Sequence, residues 1–453
     1  MRQLVPLKAR RRVAIVAAVS LVFSVASAET AFAKKKTTKK KATATTVKKA
    51  QPAKPNPGAG PATPSANANK GTLVFGTIGT SNDPRLGKTA EETRKVAETW
   101  AKKVNSAGGI NGYQVKVLYK DGRGDVATAL NAAKELESAG VLGIIGQTIF
   151  SQMPAVMGVA EQKKMPVVGG TPWFPQSETS PMFFTVSSNY NSPVFGHVNS
   201  AFQSGAKHFR KIYCIETPAC VESEPPMRWS AEKLGMKFSS QASSVLKTDF
   251  TAECITAKSA GADFVQDDGP PFAALVRDCA RQNYHPMYGN GGGSGQTLLS
   301  NAQGEQYANA LYELPVFSDF PELGEFKTFM KSTDVNPELV TQTSLQTFES
   351  FKIAEKIVGF LSGPNPTRAE FLNAVYKIKG ENLNGLLAPR GIDFSVQKDP
   401  NKHASYDCWT QFTIIDNVFK PTNAKGGVAK TATENWQCGS GMYGADGFRS
   451  AKW

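Results

Sequence analysis

Small polar side chains follow three predicted strands at the points where those strands end. They are Thr80 and Ser81, then Gln147, Thr148 and Ser151, and then Thr171 and Trp173. Because the carboxyl ends of parallel strands meet at one edge of a sheet, we expect these three loops to converge. Hydroxyl groups beside the N-terminal amides of helices favour the binding of a carboxylate. The pattern therefore predicts noncovalent binding of a small solute.

Two glycine-rich stretches invite a nucleotide-binding interpretation, and the spacing of both argues against it. A P-loop requires GxxxxGK[ST], in which backbone amides wrap a phosphate. The tripeptide GKT at 87–89 is preceded by Gly79, eight residues before Gly87. The run YGNGGGSG at 288–295 has Ser294 where a dinucleotide fingerprint needs its third glycine. We therefore predict no nucleotide cofactor.

The sequence does not assemble a catalytic group. It contains no GxSxG, and no serine has a histidine and an acid in a recognisable setting. Asp267 and Asp268 are adjacent in a predicted strand, so their side chains point to opposite faces and cannot serve one glycosidic bond. One of them is expected either to line a cleft or to act as a capping or solvated carboxylate. We predict a binding protein, not an enzyme.

The elements that position these residues alternate between strands and helices through most of the chain. This order predicts an α/β fold with parallel sheets covered by helices on both faces. The predicted strands include 73–78, 113–120, 141–145, 211–215 and 311–316, and a late hairpin is predicted at 407–415 and 417–420. Because about 380 residues exceed one ordinary core, two lobes are expected.

The positive charge of the chain is confined to its first 70 residues. Of 52 Lys+Arg and 38 Asp+Glu, 15 and one lie there, so the remainder is neutral with 37 of each. A fold that binds nucleic acid carries positive charge on its folded surface, so no nucleic-acid partner is predicted. The Lys/Ala/Pro-rich composition of 34–70 predicts disorder. This tail is interpreted as a tether to an anionic cell-envelope polymer or as a solvated spacer.

The N-terminus has the pattern of an export signal. Basic residues from Arg2 to Arg12 precede an apolar stretch at 13–26, and small residues near Ala28 or Ala33 offer cleavage sites. The apolar stretch is shorter than a membrane-spanning helix. A secreted, periplasmic or envelope-associated protein is predicted.

Six cysteines in an exported chain favour disulfides. Fifteen connectivities are possible for six cysteines. Closeness in sequence suggests the pairs Cys214 with Cys220, Cys254 with Cys279, and Cys408 with Cys438. The cysteines lack CxxC spacing and the four histidines are scattered, so no metal site is predicted.

Two long stretches resemble a known family. The segments WAKKVNSAGGINGYQVKVLYKDGRGDVATALNAAKEL and VLGIIGQTIFSQMPAVMGVAEQKKMPVV are similar to extracytoplasmic solute-binding proteins of the branched-chain amino-acid (Leu/Ile/Val) type, which serve ABC importers. The resemblance extends from about residue 71 to residue 420. It implies a type I periplasmic-binding-protein fold, with two Rossmann-like lobes joined by hinge strands and closing on a solute.

The resemblance also implies roles for individual residues. The loops at 146–151 and 169–173 match those that hold a carboxylate, with Ser151 and Thr171 as the matching hydroxyls. Glu216 or Asp268 is the candidate acid for a solute ammonium, and Tyr190 or Trp173 is the candidate for stacking on the solute.

The signal peptide is assigned to 1–33 and the Lys-rich tail to 34–70. For the rest of the chain we expect the first lobe at 71–190 and 313–395, the second lobe at 191–312, and C-terminal strands on the second lobe with a tail at 396–453. The expected partners are a small-molecule solute and an ABC permease, and a monomer is expected. The alternative is an envelope-associated binding or sensing protein that is not coupled to transport.

Overall fold

The computed structural model describes residues 69–82, 89–216, 218–269, 271–291, 298, 303–337, 340–399, 402–403 and 407–438. The predicted signal peptide, most of the Lys-rich tail and the last 15 residues lie outside these ranges. The described residues form two α/β lobes, each built on its own sheet.

The first sheet has five parallel strands in the order β2-β1-β3-β4-β5. Its strands are β1 (Thr72–Gly79), β2 (Gln114–Asp121), β3 (Ile144–Gln147), β4 (Val167–Gly170) and β5 (Phe183–Phe184). Successive side chains of β1 enter different cores, since Val74 packs on one face of the sheet and Phe75 on the other. Both faces of this sheet are therefore covered.

The second sheet is parallel from β7 to β10 and antiparallel at one edge, in the order β12-β11-β10-β9-β8-β6-β7. Its strands are β6 (His208–Cys214), β7 (Lys237–Ser243), β8 (Phe264–Asp268), β9 (Met287–Asn290), β10 (Tyr307–Leu311), β11 (Cys408–Ile415) and β12 (Val418–Thr422), and β13 (Gln437–Cys438) pairs with β11. The late hairpin predicted from the sequence forms this antiparallel edge.

Helices flank both sheets. They are α1 (Thr89–Ser106), α2 (Val126–Ser138), α3 (Met153–Gln162), α4 (Asn191–Gln203), α5 (Pro218–Glu222), α6 (Glu224–Lys233), α7 (Thr251–Ser259), α8 (Phe272–Arg281), α9 (Gly324–Met330), α10 (Gln342–Val358), α11 (Arg368–Val375) and α12 (Ala432–Asn435). No helix among these described residues is long and apolar enough to cross a membrane.

Helix α10 returns the C-terminal half of the chain to the first lobe. It contacts α1, β3 and β4, and its Phe351 ring lies 4.6 Å from that of Trp100 on α1. A capping box between Thr341 and Ser344 begins the helix. Because the helix is buried on nearly all sides, its polar residues, including Glu349, are enclosed as well.

The segment that follows β10 crosses between the lobes. The sequence predicted a strand at 311–316, and that prediction is wrong, because the strand is Tyr307–Leu311. Pro315 has no backbone N–H and cannot extend the ladder. Instead, Ser188 of the preceding crossing binds the carbonyl of Tyr312, with its N–H at 3.2 Å and its hydroxyl at 2.7 Å.

The three disulfides join Cys214 to Cys220, Cys254 to Cys279, and Cys408 to Cys438, which confirms the pairing by closeness in sequence. The first closes the loop between β6 and α5. The second joins α7 to α8, and the third lies at the pairing of β11 with β13.

Removing the disulfide between α7 and α8 is expected to lower the free energy of unfolding by about 3 kcal/mol, because its loop spans 25 residues. The Cys214–Cys220 loop spans only six, so its removal should cost about 2 kcal/mol. Urea denaturation of C254A/C279A and C214A/C220A measures both. A larger loss for the shorter loop would contradict the chain-entropy basis of this prediction.

Candidate functional site

The loops that follow β3 and β4 are bonded to each other through buried side chains. Gln147 donates from Nε2 to the carbonyl of Thr171 at 2.9 Å and accepts the N–H of Ile149 at Oε1, also at 2.9 Å. Thr171 donates from Oγ1 to the carbonyl of Ile149 at 2.9 Å. Since Gln147 and Thr171 are fully buried, their side chains hold the two loops in one arrangement.

A glycine allows these loops to approach so closely. Gly170 has φ +84°, a left-handed conformation that side chains rarely adopt. A Cβ at this position would lie 2.0 Å from the carbonyl oxygen of Gln147. Gly170 is thus required by the contact between the two loops.

The remaining polar residues of the first loop point in different directions. Thr148 is buried, and its hydroxyl is hydrogen-bonded to that of Thr93 on α1. Ser151 is exposed. Among the described residues, the backbone N–H groups of Ser151 and Trp173 have no hydrogen-bond acceptor. These two amides therefore have no protein acceptor that an anionic ligand would need to displace.

Four aromatic residues, which we call the aromatic group, connect the first lobe to the second. They are Phe150, Trp173, Tyr190 and Tyr312. The Trp173 ring is 6.0 Å from that of Phe150 and 5.9 Å from that of Tyr312. Tyr312 donates to the carbonyl of Tyr190 at 3.4 Å, and Tyr190 donates to the carbonyl of Ala219 on α5 at 3.1 Å.

Trp173 occupies the most accessible position in the aromatic group. It is half-buried, whereas Tyr190 and Tyr312 are buried. Its indole Nε1–H is shielded from solvent and has no acceptor among the described residues. A partly exposed aromatic ring is suited to contact a flat or apolar ligand.

The two adjacent aspartates at the end of β8 have different environments. Asp267 is fully buried, receives a bond from Asn290 Nδ2 at 3.2 Å, and has its pKa raised well above the usual range by burial. The side chain of Asp268 is 10% exposed and lies 3.3 Å from the ammonium of Lys211. Lys211 also donates to the carbonyl of Cys220, and the carbonyl of the adjacent Ala219 accepts the Tyr190 hydroxyl, so the ion pair lies near the aromatic group.

Glu216 and Ser81 make their contacts elsewhere. The Glu216 carboxylate is exposed and accepts bonds from the Ser244 hydroxyl and, at 3.4 Å, from the N–H of Val245. Ser81 is bonded through its N–H to Asp121 at 3.1 Å, on the β2 side of β1. The described contacts thus bring Trp173 and Tyr190 together through Tyr312, and they do not join Glu216 or Ser81 to that group.

Ser81 instead lines an open surface cavity of about 360 Å³ between α1 and β2. The cavity is lined by Ser81, Ala90, Glu91, Arg94, Tyr119 and Asp121. Burial raises the pKa of Tyr119 above its usual range, and Asp121 adds to that effect.

The chain matches a known protein family and is similar to known structures. A family model described as periplasmic binding protein matches residues 83–414. No curated protein matches the chain. Many solved structures are similar to it.

Three of those structures have names that mention different ligands. A leucine binding protein from Thermotoga maritima is 16% identical with a TM-score of 0.61, and the match covers 77% of this chain and 97% of that one. An ABC transporter solute binding protein from R. palustris, in complex with 4-hydroxybenzoate, is 19% identical with a TM-score of 0.61, covering 81% and 95%. A fatty acid ABC transporter substrate-binding protein from Thermomonospora curvata is 14% identical with a TM-score of 0.62, covering 82% and 92%.

Proposed function

The chain belongs to the periplasmic binding protein family, and from this premise we propose that it captures a small solute between its two lobes and presents it to an ABC permease. The observation that carries the proposal is the aromatic group, because it connects a loop of the first lobe to α5 of the second lobe. A solute beside Trp173 would contact both lobes.

Closure follows from the position of such a solute. A ligand held by two lobes makes contacts in the closed form that the open form lacks, so binding shifts the population toward the closed form. The permease would then distinguish the loaded protein by its closed shape. We place the first lobe at 71–190 and 313–395 and the second at 191–312 with the strands after 396.

We propose that the solute is amino-acid-like or another carboxylate. The unpaired N–H groups of Ser151 and Trp173, with the Ser151 hydroxyl beside them, would receive its carboxylate. Leucine, 4-hydroxybenzoate and fatty acids, which the names of the similar proteins mention, all carry a carboxylate. The half-buried Trp173 would pack on the rest of the molecule.

A thermal-shift screen tests this function. The compounds should include amino acids, their amides, short acids, aromatic acids and fatty acids. A bound solute at 100 times its dissociation constant is expected to stabilise the protein by about 2.7 kcal/mol. Stabilisation by carboxylates with none by their matched amides would support the proposal, and the absence of a shift with every compound would contradict it.

A further inference from the structure

The second lobe carries a buried ion pair beside the proposed site. The Lys211 side chain is fully buried in β6, and its ammonium lies 3.3 Å from Oδ2 of Asp268. The ammonium also donates to the carbonyl of Cys220 at 2.9 Å and to the hydroxyl of Ser223 at 2.6 Å. All three partners are contributed by the edge of the lobe where β6 and β8 end.

Both oxygens of the Asp268 carboxylate are occupied. Oδ2 faces Lys211, and Oδ1 accepts a bond from Gln266 Nε2 at 3.0 Å. Asp268 is the partly exposed member of the pair, whereas Lys211 has no exposed surface. A molecule in the site would therefore meet a carboxylate whose charge is balanced by Lys211 and each of whose oxygens already has a polar partner.

Of the titratable groups near the ion pair and the aromatic group, Glu178 accepts bonds from the N–H and the side chain of Asn191, and the others contribute little additional charge. Burial lowers the pKa of His197 to about 4, so this residue is neutral near pH 7. Burial favours the neutral acid form of Asp267, because it raises the pKa. Glu224, the first residue of α6, forms an ion pair with Arg228 on the same helix.

We propose, on the premise of the function given above, that Lys211 determines the class of solute. By neutralising Asp268, it leaves the second-lobe side of the site without an available partner for an ammonium group. The protein is therefore selective for carboxylates that lack an α-amino group. An amino acid would lose the hydration of its ammonium without gaining a charge partner at Asp268.

Matched pairs of solutes test the proposal. Isothermal titration calorimetry would compare 3-phenylpropanoate with phenylalanine and 4-methylpentanoate with leucine, since each pair differs only by the amino group. The natural protein is expected to bind at least one of the acids at least tenfold more tightly than its amino acid. Tighter or equal binding of the amino acid in both pairs would overturn the inference and leave the proposed function intact.

Two variants isolate the contribution of Lys211. Lys211→Gln removes the positive charge and keeps a donor for Cys220 and Ser223, so the preference for the acid should fall at least tenfold. The neutral double variant K211Q/D268N removes both charges, and it should recover the preference. If folded K211Q keeps the same preference for the acid over the amino acid, the inference is overturned. If none of the tested solutes binds the natural protein, the proposed function itself is contradicted.

Discussion

Replacing Glu349 by Gln is expected to stabilise the protein at pH 8 and to have a much smaller effect at pH 5. Glu349 is fully buried in α10, and neither oxygen of its carboxyl group has a hydrogen-bond partner among the described residues. Glu313 lies near it and is also buried; its Oε2 accepts a bond from Gln346 at 2.9 Å. Burial raises the pKa of Glu349 well above 4.5, and Glu313 adds to the rise.

The direction of the pH effect follows from linkage. Below pH 4.5 the carboxyl is protonated in both the folded and the unfolded state, so its contribution to stability is fully present. As the pH rises toward the pKa of the folded state, the unfolded state loses its proton first. The free energy of unfolding then falls by about 1.4 kcal/mol per pH unit for each such group. Because Gln does not titrate, E349Q removes the loss of stability that Glu349 causes as the pH rises.

Chemical denaturation of the natural protein and of E349Q at pH 5 and pH 8 measures this difference. Glu355→Gln provides a matched control on the same helix, because that carboxylate is partly exposed and lies 2.8 Å from Lys352. E355Q is not expected to gain stability at pH 8. An E349Q variant that is no more stable than the natural protein at pH 8, or that gains as much stability at pH 5, would contradict the prediction.

Replacing Trp173 by Ala is expected to weaken binding of the solute by about 100-fold, which corresponds to about 2.7 kcal/mol. The ring is half-buried between Phe150 and Tyr312, and much of its free face would be covered by a bound solute. Aromatic anchors at the centre of a binding surface commonly contribute this much. Calorimetry with the carboxylate that binds best measures the change.

Trp229→Ala is the matched control, since Trp229 is a half-buried tryptophan of α6 that packs against Phe195, 5.7 Å away. This variant should lower the melting temperature while its affinity for the solute stays within about threefold. Equal losses of affinity in both variants would indicate a general loss of structure, and they would contradict the specific role of Trp173.

Much of the fold could be predicted because the periodicity of the sequence follows the packing. The first strand, predicted at 73–78, is Thr72–Gly79, and the hairpin predicted at 407–415 and 417–420 is Cys408–Ile415 and Val418–Thr422. Helix α11 was missed, although Thr367 and Glu370 form a capping box that the sequence contains as TRAE. The two-residue strand β5 is too short to have a pattern of its own.

The predicted strands with wrong bounds lie where residues are buried without being part of a strand. Val141 and Leu142 are buried as expected, yet the strand predicted to begin there starts at Ile144. The mostly apolar segment at 311–316 is buried because it crosses between the lobes. An apolar run in one sequence cannot distinguish these two causes of burial.

The sequence was sufficient to identify the loops of the candidate site, but not the contacts that their side chains make. The rule for strand ends identified the loops of Gln147 and Thr171, but it could not show that these two side chains bind each other's loops. Tyr312 was missed because its role depends on a contact with Trp173, 139 positions earlier in the chain. Asp268 was identified as a charge, and its pairing with Lys211 depends on the alignment of β6 with β8.

Small-angle X-ray scattering with and without a saturating carboxylate tests most directly whether the two lobes capture a solute between them. The radius of gyration of the natural protein is expected to decrease on binding, and the same concentration should leave that of W173A unchanged. Calorimetric saturation of the natural protein without any change in the radius of gyration would contradict closure of the lobes on the solute.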